Sequence, residues 1–597
     1  MPLTQLLVVG VLLTLLTVVA GAGYRKCPTE CACSSDFKGR HQTVCIGGGM
    51  NEIPVTSIDR DTQVIVIRGP KNHISIGPIF KDFRYLEVLR VTDSLVPAIG
   101  QHTFWGVLNL KVLDLSRNNI TSIREDNFRG QDNLLELDLS SNKIVRVPSA
   151  SFRYLTDLRS LNLADNFLEE LVPRQFLNLA SLKWIDLSGN PLVDLKPEVF
   201  RDVQELKVLR CRRCQLKQIN PMFYSLLRQL TELDLGDNHF KYLDKEEFTY
   251  LKRLNTLRLD GNQLSVLVDY LFEGQRSLQH LDVSRNRIVK ISSMAFENLN
   301  NLTHLDLSYN KLLGLDIDIA TRLTSLKVLN ISGHLQLDLV ESKFAFQLLE
   351  SLTTLSVADM GYLPASLFKS LPHLRELNIS GNHLNDISLE MLLPVTKLER
   401  LDVSRNQIKG IDMRIVNLIV KLEDVNLAYN PITCDRCHMG ALIDRAHTLK
   451  WSKLPSCFLP ESHRGTEISD IDGAGLDFCM SLDDEEDEDT NAASTSRNIL
   501  SQGSLNILAL IAGLVFIIVA VLIVGIVVCY SRHRARYYTH EDKRDLGATE
   551  KSIDPPATIT SNEINFKFPI DDHVCITDEL CLPPPPPPPT KQVPTLG

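Results

Sequence analysis

The sequence predicts an α/β solenoid, a parallel concave sheet of about 16 turns with a cysteine-bearing cap at each end. Three observations carry that expectation. The phrase LKVLDLSRNNI at residues 110–120 returns as LLELDLSSNKI at 134–144, LRSLNLADNFL at 158–168 and LKWIDLSGNPL at 182–192. Its leading leucine keeps a step of 24 residues from Leu110 to Leu326, shifts at Leu352, and resumes through Leu374, Leu398 and Leu422. Clusters of cysteine bracket the array. A chain of 597 residues exceeds what one compact core fills, whereas each turn of a solenoid packs only on its neighbours.

Within one turn, Leu113 and Leu115 alternate with Asp114, the period of a short strand with one buried face. Asn118, Asn142, Asn166, Asn190, Asn238, Asn262, Asn286, Asn310, Asn382, Asn406 and Asn430 fill one slot just after that strand. The chain turns inward there, and buried backbone groups need partners that an amide can supply. Phe80, Phe104, Phe128, Phe152, Phe176, Phe200, Phe248, Phe272 and Phe296 share the same grid, with Tyr224 replacing one. A column at repeat spacing is a core filler rather than a ligand slot. The pattern L-x-x-L-x-L-x-x-N-x-L at this period is that of the leucine-rich repeat.

Thirteen cysteines divide by position. Cys27, Cys31, Cys33 and Cys45 precede the repeats, and Cys434, Cys437, Cys457 and Cys479 follow them. An even number in a secreted segment indicates a disulfide framework, whose connectivity spacing alone leaves open. Cys211 and Cys214 replace the inward leucine and the turn asparagine of one repeat. They are expected as two core-facing thiols, because an extended strand holds them badly for a bond, with a local disulfide or a redox element as the alternative.

Leu6–Val19 is uncharged and ends at Ala20-Gly21-Ala22, which reads as a signal peptide over residues 1–22. Residues 505–529 are apolar and long enough to cross a bilayer. Arg532, Arg534 and Arg536 follow and DDEEDED precedes, so the N-terminus is expected outside and the C-terminus in the cytoplasm. The expected order is cap 23–61, repeats 62–432, second cap 433–480, acidic stalk 481–504, membrane helix 505–529 and disordered tail 530–597.

Catalytic grammar is lacking: there is no H-E-x-x-H, G-x-S-x-G or G-x-x-x-x-G-K. Asp114, Asp138, Asp186, Asp234, Asp282, Asp306 and Asp402 recur on the exposed strand face because the L-D-L phrase recurs. No enzyme, metal or cofactor is expected, and a net charge of −10 gives no global field for nucleic acid. Binding is the stronger expectation. Trp184, Lys207, Arg210, Arg212, Arg213 and Arg258 interrupt the acidic column, and Trp and Arg are enriched at interface hot spots. They are candidates for contacting carboxylates or sulfates; the competing view is a solvated basic face balanced by Asp186 and Asp234. Asn119, Asn301, Asn330 and Asn378 begin glycosylation sequons, and sugar on Asn330 and Asn378 would cover the C-terminal half of the sheet. In the tail, Leu582 precedes Pro583, Pro584, Pro585, Pro586 and three further prolines, a pre-ordered rod suited to EVH1, SH3 or profilin partners.

The whole order resembles extracellular leucine-rich repeat single-pass receptors, and is similar to the insect adhesion proteins capricious and tartan. The resemblance implies the pairs Cys27–Cys33, Cys31–Cys45, Cys434–Cys457 and Cys437–Cys479. It implies a plasma-membrane receptor for an extracellular or cell-surface protein, with adhesion and actin coupling through the tail as one role. An innate-immune or growth-factor co-receptor that depends on a signalling partner is the other.

Overall fold

The computed structural model describes residues 26–245, 247–473 and 476. The expected signal peptide, stalk, membrane helix and tail lie outside these residues. Among the described residues, no helix is long and apolar enough to cross a membrane.

The described chain forms a sheet of 19 strands. Ala32–Ser35 pairs antiparallel with His41–Cys45, which pairs parallel with Val64–Arg68. From there each repeat contributes one rung, usually of three residues, parallel to the rung before it. The register is invariant: Ile185 faces Leu209 and Leu209 faces Leu233, so the inward leucines stack. The phenylalanine column is buried throughout, and successive rings such as Phe248 and Phe272 stack 6.2 Å apart. Turns and short helices, among them Pro221–Leu226 and Met413–Ile419, return the chain to the next rung.

The asparagine slot closes each turn. The Asn190 amide donates to the carbonyls of Leu187 in its own rung and Leu163 in the rung before, both at 2.9 Å. Its side-chain oxygen accepts from the Leu168 amide at 3.0 Å. The same three bonds recur at Asn142, Asn166, Asn238 and Asn310. The residue before this slot has positive φ in rung after rung, from Arg117 to Tyr429. Glycine takes the position at 261 (φ 66°), where a Cβ would collide with the Asp237 carboxylate.

The caps close the ends. The N-terminal segment carries the disulfides Cys27–Cys33 and Cys31–Cys45. At the other end Trp451–Lys453 adds a strand beyond Asp424–Asn426, and Cys434 bonds Cys457. Cys437 is disulfide-bonded, and Cys479 lies outside the described residues.

One expectation of the repeat core needs correction. Cys211 and Cys214 are not free thiols but a disulfide, with Cα atoms 5.5 Å apart. The strand ends at Arg210, and Arg213 adopts a φ of 57°, so the turn brings the two sulfurs together. The irregular interval after Leu326 leaves the sheet undisturbed. Val328 still pairs with Thr354, and the extra residues enter the helix Leu339–Phe346. His334 stands there in the asparagine slot and does the same work. Its Nε2 lies 2.9 Å from the Leu307 carbonyl and its Nδ1 accepts from the Leu312 amide at 3.2 Å. Burial holds its pKa below the usual histidine range, against the opposing pull of Leu307 and Asp306.

Asn190→Ala leaves a buried amide and two buried carbonyls short of a partner. It should destabilise the array by about 3 kcal/mol, at about 1–3 kcal/mol per buried group, read as a fall in the urea midpoint; Gln218→Ala, exposed, should not shift it. His334 is stabilising only when neutral. Its contribution is complete above the unfolded histidine pKa near 6.5 and is lost as pH falls through the lower folded value. His334→Asn should therefore flatten the loss of thermal stability between about pH 6.5 and pH 5, measured by circular dichroism.

Candidate ligand-binding face

The outward face of the sheet is a grid. Each rung places one side chain before and one after its buried central residue, and parallel register aligns them with those of the next rung. The aspartate column occupies the second position. It was expected as an exposed row, but these side chains are half-buried, and Asp234 is fully buried. Asp114, Asp138, Asp186, Asp234, Asp282, Asp306 and Asp402 each accept a hydrogen bond from the backbone amide two residues on. This is an Asx turn, so the column shapes the chain. Burial pushes the Asp186 and Asp282 carboxyls above the usual range, with Ser188 and Ser284 pulling the other way.

The six candidate contact residues separate into different kinds. Arg212 is an internal tie. It lies over Gly236, where a Cβ would strike its guanidinium. It bonds Asp237 at 2.5 Å, reaches Asp234 at 3.4 Å, and binds both oxygens of buried Asp260. Arg285 binds Asp260 from the other side. Burial alone would lower the Arg212 pKa, but these carboxylates outweigh it and hold the group above its usual range. At Asp260 burial pushes upward, yet hydrogen bonds from Arg212 and Arg285 prevail and lower the carboxyl. The Cys211–Cys214 disulfide brackets this arginine, which joins rungs up to 48 residues apart in sequence.

Trp184 and Arg210 form a second unit. Trp184 is half-buried rather than exposed, since the Arg210 guanidinium lies 5.7 Å from its ring centroid. Arg210 also pairs with Glu232 at 2.8 Å. Arg213 pairs loosely with Asp165 at 3.2 Å, both well exposed, and Arg258 approaches Asp234 at 3.9 Å. Lys207 stands elsewhere, on the rim that precedes the strands. The rim backbone runs as a ladder in which Lys183 donates to Arg159 at 2.9 Å and Lys207 to Lys183 at 2.8 Å. Arg159 and Lys183 were overlooked in the sequence, although their 24-residue spacing to Lys207 places all three in one column. His280 and His304 were overlooked too. Their rings lie 4.2 Å apart in a hollow of about 400 Å³ that Arg258, Asp282 and Asn330 help to line. Burial, then His280 and Lys327, lower the His304 pKa.

The sequon residues differ in setting. Asn301 is exposed and donates to the Arg276 carbonyl. Asn330 and Asn378 end their strands, and each accepts from the amide two residues on. The Asn330 amide nitrogen also donates to Asp306 at 3.0 Å.

A single repeating scaffold with a varied outward face defines an interaction solenoid. Residues 84–144, 132–192, 204–264, 252–312, 276–335, 361–408 and 372–432 match the family described as Leucine rich repeat, more than half of the chain. The protein belongs to the leucine-rich repeat family, whose members are in general non-enzymatic interaction scaffolds and receptors. It is 34% identical over 93 residues to Leucine-rich repeat-containing protein 3B of Homo sapiens, as of Bos taurus and Mus musculus. That match covers 15% of this chain and spans 34% of those relatives' length. Its fold is similar to one in the mouse RP105/MD-1 complex, with a TM-score of 0.55 and 20% identity over 71% of this chain and 77% of that one. The Drosophila Toll–Spatzle complex contains another, with a TM-score of 0.50 and 24% identity over 70% of this chain and 58% of that one.

Arg212→Met would leave Asp234 and Asp260 buried with too few cations. The expected cost is about 3 kcal/mol, typical of removing one partner from a buried pair. Arg213→Met, at an exposed pair, should cost less than about 0.5 kcal/mol. Urea unfolding of the two variants side by side separates the internal tie from the surface cation.

Proposed function

We propose that this protein is a cell-surface leucine-rich repeat receptor that recognises a protein on another cell or in the matrix, akin in role to capricious and tartan. The observation that carries the proposal is the Trp184–Arg210 pair on the outward face. A large aromatic ring held by a guanidinium loses little side-chain entropy on binding, and such residues dominate interface energies. Their neighbours in the adjacent rungs, Ser160 and Val208, are small enough to leave the ring's surroundings open. Sugar on Asn330 and Asn378 favours docking at the earlier rungs. The apolar segments 1–22 and 505–529 supply secretion and a membrane anchor. The tail from Leu582 through Pro586 supplies a dock for an EVH1, SH3 or profilin partner.

A co-receptor role is the second reading, favoured by one feature. Val340, Phe344 and Leu348 follow an i, i+4, i+8 spacing along and just past the helix Leu339–Phe346, and all three are exposed. An apolar row on that surface suits lateral contact with a signalling partner.

The test uses cells displaying the full chain, challenged with a library of cells that each display one secreted or surface protein. Trp184→Ala with Arg210→Glu should reduce capture of the selected ligand at least tenfold, the loss of about 1.4 kcal/mol or more, with surface expression unchanged. Capture that survives this double change but fails on Val340→Asp with Phe344→Asp would overturn the first reading for the second.

A further inference from the structure

The rim of the sheet holds an unbalanced charge that the fold does not use. Arg159, Lys183 and Lys207 are exposed, occupy successive rungs, and are joined through their backbones. Adjacent rungs of a parallel sheet lie about 4.8 Å apart, so three cations fall within about 10 Å. Like charges directly across a ladder are destabilising. At two other places on this rim the charge is paired: Lys111 meets Glu87 at 3.3 Å, and Arg375 meets Glu399 at 2.6 Å. Among the described residues no ion pair forms to Arg159, Lys183 or Lys207, although Asp157 and Glu205 lie two residues before the outer two. Trp184 and Arg210 adjoin the same rungs on the outward face.

We propose that Arg159, Lys183 and Lys207 form a binding site for a sulfated polysaccharide, laid along the solenoid axis across the strands. The charge pitch selects this class of polyanion. An extended acidic peptide presents carboxylates on one side every second residue, about 6.8 Å apart, which misses a rung spacing of about 4.8 Å. A sulfated sugar chain carries several anionic groups per disaccharide and meets closely spaced cations. Charge at this pitch is what the site requires: the ammonium of lysine is a point charge with rotatable donors, and a guanidinium, as at Arg159, serves as well. The site would hold the receptor against matrix or cell-surface glycan beside the Trp184–Arg210 contact. It relies on the receptor reading only for this setting, since glycan binding by the purified chain is independent of any protein ligand.

The experiment applies the detergent-solubilised full-length chain to immobilised heparin over a salt series. The variant R159A/K183A/K207A should bind at least tenfold more weakly and elute at lower salt. Its slope of log affinity against log salt should be shallower by roughly two to three, one step per lost ion contact. K183R/K207R should bind like the unaltered chain. K81A/K252A/K369A removes equal charge from other exposed positions and should change little. The proposal is overturned if the rim variant elutes with the unaltered chain, or if the control variant weakens as much. Competition by polyglutamate or fully desulfated heparin as effective as by heparin also overturns it, and in the first case assigns the rim to an acidic peptide. Neither result alters the outcome of the Trp184 and Arg210 test, so the two proposals fail separately.

Discussion

A buried asparagine amide that bonds the backbone of its own rung and of the rung before it is the constraint on which the structure depends. At each turn the chain leaves the sheet and enters the core, where water is absent and peptide groups need partners. Asn190 meets that need for three backbone groups at once. The leucines and phenylalanines stacked beneath supply apolar burial, but they do not fix direction; the amide fixes the turn and the register together. Because each such bond reaches only a neighbouring rung, stability is distributed along the array as a sum of neighbour contacts. Outward positions other than the turn-capping aspartates and the Arg212 network are then free to vary without loss of the scaffold.

Two treatments of charge occupy that outward face. Around Arg212 the cations and carboxylates are interleaved and partly buried, and the network spans rungs from Arg212 to Arg285. Its Coulomb energy is internal, and removing any member strands a charge. On the rim at Arg159, Lys183 and Lys207 cations repeat, and among the described residues no carboxylate pairs with them. One arrangement consolidates the middle of the solenoid; the other leaves a field for something outside it. The Trp184–Arg210 pair sits between them, tied to Glu232 on one side and open on the other.

Much of the fold was legible because its causes are periodic. Leucine, asparagine and phenylalanine columns need only a constant step to be seen. What escaped was set by contacts across rungs. Arg212 looked like a ligand contact because its partners stand 22 to 48 residues away. Cys211 and Cys214 looked like thiols on an extended strand because the positive φ of Arg213 does not show in residue spacing. His334 stands in the asparagine column, and a neutral imidazole, with one donor and one acceptor, fills the slot. The aspartates looked exposed because L-D-L alternation reports a side, not the depth at which a carboxylate folds back to cap its own turn.

The central claim is that recognition occupies the rungs between Arg159 and Arg210 while the remainder serves as scaffold. The most direct measurement is a charge-reversal and alanine scan of every outward-facing position in the full-length chain, with surface level and ligand capture scored together. Changes that abolish capture at normal surface level should concentrate at Arg159, Lys183, Trp184, Lys207 and Arg210. A concentration of such changes on the rungs from Leu374 to Asn430, with these five positions silent, would contradict it.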